Sequence, residues 1–149
     1  IDLLCHYPID KRLHEVLSLR QLVLAEAVSH ACIHATIVDV HRLQSLLQQQ
    51  KSEMDDELFL ERDGQFLMVL VESSQQLTLK LLFNSLKRIV QSNKTIGEHL
   101  LQHRQQALGS YQVLIGLIKH KDPSLSKKAI LGHLSEEEKN YVTQILSST

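Results

Sequence analysis

Tryptophan is absent from this chain of 149 residues, proline and cysteine occur twice each, and glycine five times. Glycine and proline punctuate turns, so a fold of many short strands joined by tight turns is disfavoured. The two cysteines, Cys5 and Cys32, are too few for a disulfide framework and form no CxxC metal knuckle. No stretch resembles a signal peptide, so the expected location is a reducing, intracellular one, cytoplasm or nucleus. The longest apolar run, Phe66 to Val71, falls far short of the ~20 residues that cross a bilayer, so no membrane partner is expected.

Catalytic signatures are missing too. There is no glycine-rich phosphate loop, nucleophile elbow, DxD or HxE pattern, and Asp55-Asp56-Glu57 lacks EF-hand spacing and its glycine. Scattered Ser, His and Asp could still meet in space, but nothing in the sequence selects a triad. The expectation is a chain that is not an enzyme, with no catalytic residues and no cofactor.

What is present is leucine and glutamine, 28 and 14 residues. Both lose little side-chain freedom in a helix, so an all-α fold is expected. Hydrophobic residues make up 43% and charged residues 22%, ordinary values for one globular domain over 1–149. Because the chain starts at Ile1 and enters patterned sequence almost at once, a fragment of a longer protein is expected.

From Ile9 to Gln50 neither glycine nor proline intervenes, and Pro8 with Asp10 suits a helix start. The β-branched cluster Ile33, Thr36, Ile37, Val38 and Val40 is the expected bend. An acidic connector is expected near 51–64. Asp63-Gly64 leaves a β-hairpin across 58–71 as an alternative to a second helix over most of 66–92. Thr95 with Glu98 and Ser135 with Glu138 have capping-box form; Asp122-Pro123 should stop the third helix, with Ser124 or Ser126 capping a short fourth. The fold expected is an irregular bundle of about five helices, with a HEAT- or armadillo-like α-solenoid fragment as the alternative.

Three groups of residues are candidate sites. His30, His34 and His41 fall within about 40° on a continuous helix, a spacing able to supply metal ligands. The HExxH pattern would need glutamate at position 31, where this chain has Ala31, so a half-buried helix flank is preferred and no metal is expected. Net charge runs from −6 over residues 1–78 to +5 over 79–149. Lys80, Lys87, Lys94, Lys119, Lys121, Lys127 and Lys128 could form a basic face for phosphate or an acidic partner, but interleaved aromatics for base stacking are missing. Leu22, Ile33, Val40 and Leu47 form an apolar stripe opposite the main arc of the first helix and are the expected protein-binding residues. The functional expectation is therefore a non-catalytic interaction or scaffold domain that binds another protein or a second copy of itself. The alternative is a nucleic-acid-associated helical domain using a basic face in residues 80–128.

Overall fold

The computed structural model describes residues 9–148, which form eight α-helices and no strand. In chain order these are α1 (Ile9–His34), α2 (Ile37–Lys51), α3 (Asp56–Ser73), α4 (Leu77–Ser92), α5 (Lys94–Gln102), α6 (Arg104–His120), α7 (Pro123–Leu131) and α8 (Glu136–Ser147). The expected start at Pro8, and Cys5, lie outside the described residues.

The all-α class stands, but five helices become eight because each long segment is interrupted. The first breaks within the anticipated bend, at Ala35-Thr36. There the Thr36 hydroxyl accepts the Asp39 N–H at 3.1 Å while the Asp39 carboxylate accepts the Thr36 N–H at 2.9 Å. This reciprocal cap satisfies amides that a helix start leaves open. The expected acidic connector shrinks to residues 52–55, because Asp55 caps the Leu58 N–H and α3 begins at Asp56. α3 runs through Asp63-Gly64, so the hairpin alternative is not adopted, and the second helix is broken at Ser74–Gln76, where Gln75 takes a left-handed φ of 57°.

Thr95 and Glu98 do not form a capping box. Asn93 caps instead, accepting the Ile96 N–H, and α5 starts at Lys94, two residues before the start near 96 that a Thr95 cap implies. The third helix divides again at His103. Asp122, rather than Ser124 or Ser126, caps α7 with Pro123 in its first turn, and Gly132 ends α7 with a φ of 74°. The Ser135–Glu138 box forms as expected.

α1 is the axis of the domain and packs against α3, α4, α5, α6 and α7, an arrangement unlike the nearest-neighbour stacking of a solenoid. Val23, Ala27, Val28 and Ala31 of α1 meet Leu43 and Leu47 of α2, Phe66 and Leu70 of α3, and Leu114 and Ile115 of α6 in one core. Leu117, Leu125, Val142 and Ile145 join α6, α7 and α8 in a smaller cluster. A Cβ at Gly116 would collide with the end of the Leu146 side chain, which would have to shift for α8 to keep its seat on α6.

By length and composition the span Lys11–His34 of α1 is apolar enough to cross a bilayer, with a mean hydropathy of 1.3, although no long uninterrupted apolar run marks it. Within the domain part of its apolar surface is buried by packing, and Leu19, Leu22 and Ile33 remain exposed.

Thr36→Ala should lower stability by about 1 kcal/mol, the usual cost of losing an N-cap hydroxyl. Urea unfolding followed by circular dichroism checks this.

Candidate ligand cavity and its polar floor

Asp63 sits in the third turn of α3, buried, with Phe66 and Leu67 following on the core side. A carboxylate removed from water needs donors, and three helices supply them. Gln50 of α2 donates to Oδ1 at 2.9 Å, and the Tyr111 hydroxyl of α6 donates to the same oxygen at 2.6 Å. Arg20 of α1 donates from Nη2 to Oδ2 at 3.0 Å and to the Tyr111 oxygen at 3.1 Å. The Phe66 and Tyr111 rings stack at 4.5 Å, fixing the phenol from below. Burial, then the adjacent Asp63 charge, pushes the Tyr111 hydroxyl far above its ordinary value, so it remains a donor. Burial alone would lower the Arg20 pKa, but Tyr111 and Asp63 outweigh it and the value is raised. Arg20 thus keeps its charge. The Oε1 of Gln50, fully buried, has no hydrogen-bond partner among the described residues.

Above Arg20 and Asp63 lies a cavity of about 780 Å³ bounded by α1, α3, α4 and α5. Its size falls within the range of about 300–1,000 Å³ usual for small-molecule sites. Leu60 and Leu67 from α3, Phe83 and Leu86 from α4, and Leu100 and Leu101 from α5 give it apolar walls. Glu57, Glu61 and Lys87 stand among its lining residues without an ion-pair partner among the described residues.

The residues singled out in the sequence do not assemble as expected. His30 lies 3.6 Å from Glu26, His34 ends α1, and His41 is exposed on α2 beyond the break that separates the helices. No group of three or more His, Cys, Asp or Glu side chains among the described residues is placed to hold a metal ion. Cys32 is buried, its thiol 3.1 Å from the Ser126 hydroxyl, and burial raises its pKa.

The basic residues are dispersed over four helices. Lys80 pairs with Glu72, Lys94 with Glu98, Lys127 with Glu26 and Lys128 with Glu138. Lys119 and Lys121 are exposed at the end of α6, and Lys87 belongs to the cavity. Of the apolar stripe, Leu22 and Ile33 are exposed, but Val40 is half-buried and Leu47 is in the core. The break at Thr36 puts α2 on its own axis, so the four residues share no face.

Sequence reasoning passed over Arg20, Asp63 and Tyr111. A lone arginine inside VLSLRQLVLAEAV was the available signal, because a cation among apolar neighbours needs a partner.

The described residues thus form an all-helical domain with an apolar cavity over a polar floor. The FCD domain family matches residues 15–136, and the chain belongs to that family. No curated protein matches the chain as a relative. FCD domains are ligand-binding effector domains of GntR-family transcription regulators; they bind small-molecule effectors and typically dimerise. This overturns the expectation of an interaction scaffold, and that of a domain whose own basic face engages nucleic acid. The family is regulatory rather than catalytic, and it works inside the cell, with no support for the nucleus.

Asp63→Ala should destabilise the domain by about 2–4 kcal/mol, because Arg20, half-buried, is left as an uncompensated cation. Tyr111→Phe, which keeps the ring and removes one donor, should cost about 1–3 kcal/mol. Denaturant midpoints rank the two, and equal losses would place the effect in packing rather than in the carboxylate.

Proposed function

We propose that the chain is the small-molecule-sensing part of a transcription regulator whose DNA-binding domain lies elsewhere in the protein, and that the effector occupies the cavity over Arg20 and Asp63. The observation that carries this reading is the cavity itself, closed below by a satisfied ion pair and lined above by leucine and phenylalanine. Arg20 and Asp63 neutralise each other. The unpaired charges are the Glu57 and Glu61 carboxylates on α3 and the Lys87 ammonium on α4, so the cavity offers both signs around an apolar middle. A zwitterionic ligand with an apolar body, such as a free amino acid or short peptide, meets that pattern. Gly97 lines the cavity, and a Cβ there would make ordinary contact with Leu60 at 3.5 Å. Gly97→Leu should therefore fill the cavity and abolish the thermal shift given by a zwitterionic ligand that stabilises the native chain. Gly97→Ala should retain the shift. Equal shifts in all three proteins would move the site elsewhere.

Dimerisation, typical of the family, is assigned here to a face shared by α1 and α4. The two helices pack side by side, and a 3.5 Å bond from the Gln75 amide to the His34 carbonyl joins the start of α4 to the end of α1. Leu22 and Ile33 of α1 are 54% and 64% exposed, and Leu77 and Leu81 of α4 are 71% and 59% exposed. Large apolar patches of this kind usually mark interaction sites. The double variant Leu22→Lys, Leu81→Lys should sediment as a monomer with its helical signal and melting temperature nearly unchanged. An unaltered dimer would exclude this face.

A further inference from the structure

Arg20 also lines a second cavity, of about 370 Å³, between α1, α6 and α7. Its walls are apolar, with Leu17 and Leu24 from α1, Leu114 from α6, and Ala129 and Ile130 from α7. Gln21 is tied up in a 2.7 Å hydrogen bond to the Ile130 carbonyl, which fastens α1 to α7 beside it. The electrostatics of the two cavities differ. The larger one is lined by Glu57, Glu61, Asp63 and Glu98 as well as Arg20, Lys87 and Lys94, so it has no preference for an anion. In the smaller one Arg20 is the single charged residue in the lining; its partner Asp63 lies on the side of the larger cavity and lines only that one.

The donors of Arg20 are unevenly used. Nη2 serves both Asp63 and Tyr111, whereas Nε and Nη1 have no hydrogen-bond partner among the described residues. With Asp63 taken up on Nη2, the spare Nε and Nη1 N–H groups can still donate two parallel bonds to a second carboxylate, a geometry that an alcohol cannot match. The hydroxyl of Ser110, on the exposed side of α6, also borders this cavity.

We propose that the smaller cavity is a second ligand site, separate from the effector cavity, that takes a small monocarboxylate with an apolar body, the carboxylate on Arg20 and the body against Leu17, Leu24, Leu114 and Ile130. A volume of 370 Å³ lies at the lower end of the range for small-molecule sites, which sets the size of the acid. The same guanidinium holds Asp63 at the floor of the larger cavity. An anion drawing on Arg20 from one side alters its hold on Asp63 on the other, so occupancy of the two cavities is thermodynamically linked.

The test is calorimetric titration of the whole chain with hexanoate and with hexan-1-ol, which keeps the apolar body and removes the charge. Hexanoate should bind, and hexan-1-ol should bind at least tenfold more weakly. Ser110→Trp, an exposed position on the rim of the smaller cavity, should weaken hexanoate at least tenfold. Gln91→Trp, on the rim of the larger cavity, should change it less than twofold. If Ser110→Trp melts early, Ala129→Leu supplies the same obstruction from α7. Failure of hexanoate to bind, or equal binding of acid and alcohol, overturns the second site. Loss of binding in Gln91→Trp with retention in Ser110→Trp also overturns it, and leaves the reading of the larger cavity standing.

Discussion

The carboxylate of Asp63 is the constraint on which the domain turns. It lies on α3 and receives hydrogen bonds from α1, α2 and α6 through Arg20, Gln50 and Tyr111. Desolvating a carboxylate and a guanidinium costs several kcal/mol each, and the cost is offset only where geometry and additional hydrogen bonds are good. Here the phenol supplies the extra bonds, donating to the acid and accepting from the base. The four helices must therefore keep their register to within hydrogen-bond tolerance, and the aromatic stack of Phe66 on Tyr111 holds that register from the apolar side. A hydrophobic core alone would tolerate sliding that this cluster does not.

The same cluster divides the molecule into a firm part and a softer one. Below it, α1, α3 and α6 contribute most of the fully buried side chains. Above it, α4 buries only Phe83 and Leu86, and α5 only Ile96 and Gly97. Helices with few buried apolar contacts sit at the low end of local stability. The wall over the cavity is thus the part most easily shifted by an occupant. In the proposed reading α4 also carries half of the dimer face, so one loosely held helix borders both the ligand and the second copy. A ligand with different affinity for two positions of α4 would bias them, which is what an effector domain requires.

How much of this was legible in the sequence depended on the range of each interaction. The helical class, the bend before Val40, the Asp122-Pro123 stop and the Ser135–Glu138 cap all rest on neighbours within a few residues, and they were readable. The Thr36–Asp39 cap was of the same kind but lay inside an apolar stretch that suggested continuity. Between Asn93 and Thr95 the start of α5 fell to Asn93, the stronger N-cap residue, whose side chain accepts the Ile96 N–H, so a local rule was available and was outweighed by the capping-box pattern. The site was harder. Arg20, Gln50, Asp63 and Tyr111 are up to 91 positions apart, and no spacing rule joins them. Three histidines on one projected face drew attention instead, and that projection assumed an unbroken helix.

The wide apolar circumference of α1 was read as surplus to a single packing face, hence as a binding surface. Much of that surplus is consumed by five neighbouring helices, and what remains exposed is the strip containing Leu19, Leu22 and Ile33. The more telling residue was the polar one within the run. At the centre of a bilayer an arginine costs about 2.5–3.5 kcal/mol or more, and in a dry core an unpaired one costs several kcal/mol. A helix with the composition of a membrane span and Arg20 near its middle therefore implies an acidic partner on another element. Asp63 lies in the interior of α3 between Phe59 and Phe66, but its immediate neighbours Glu61, Arg62, Gly64 and Gln65 are polar or small, and Glu26 is set in a more apolar stretch. Charge and context therefore pose the question of a partner without selecting it, and only the packing of α1 on α3 brings Arg20 to Asp63 at the floor of the cavity.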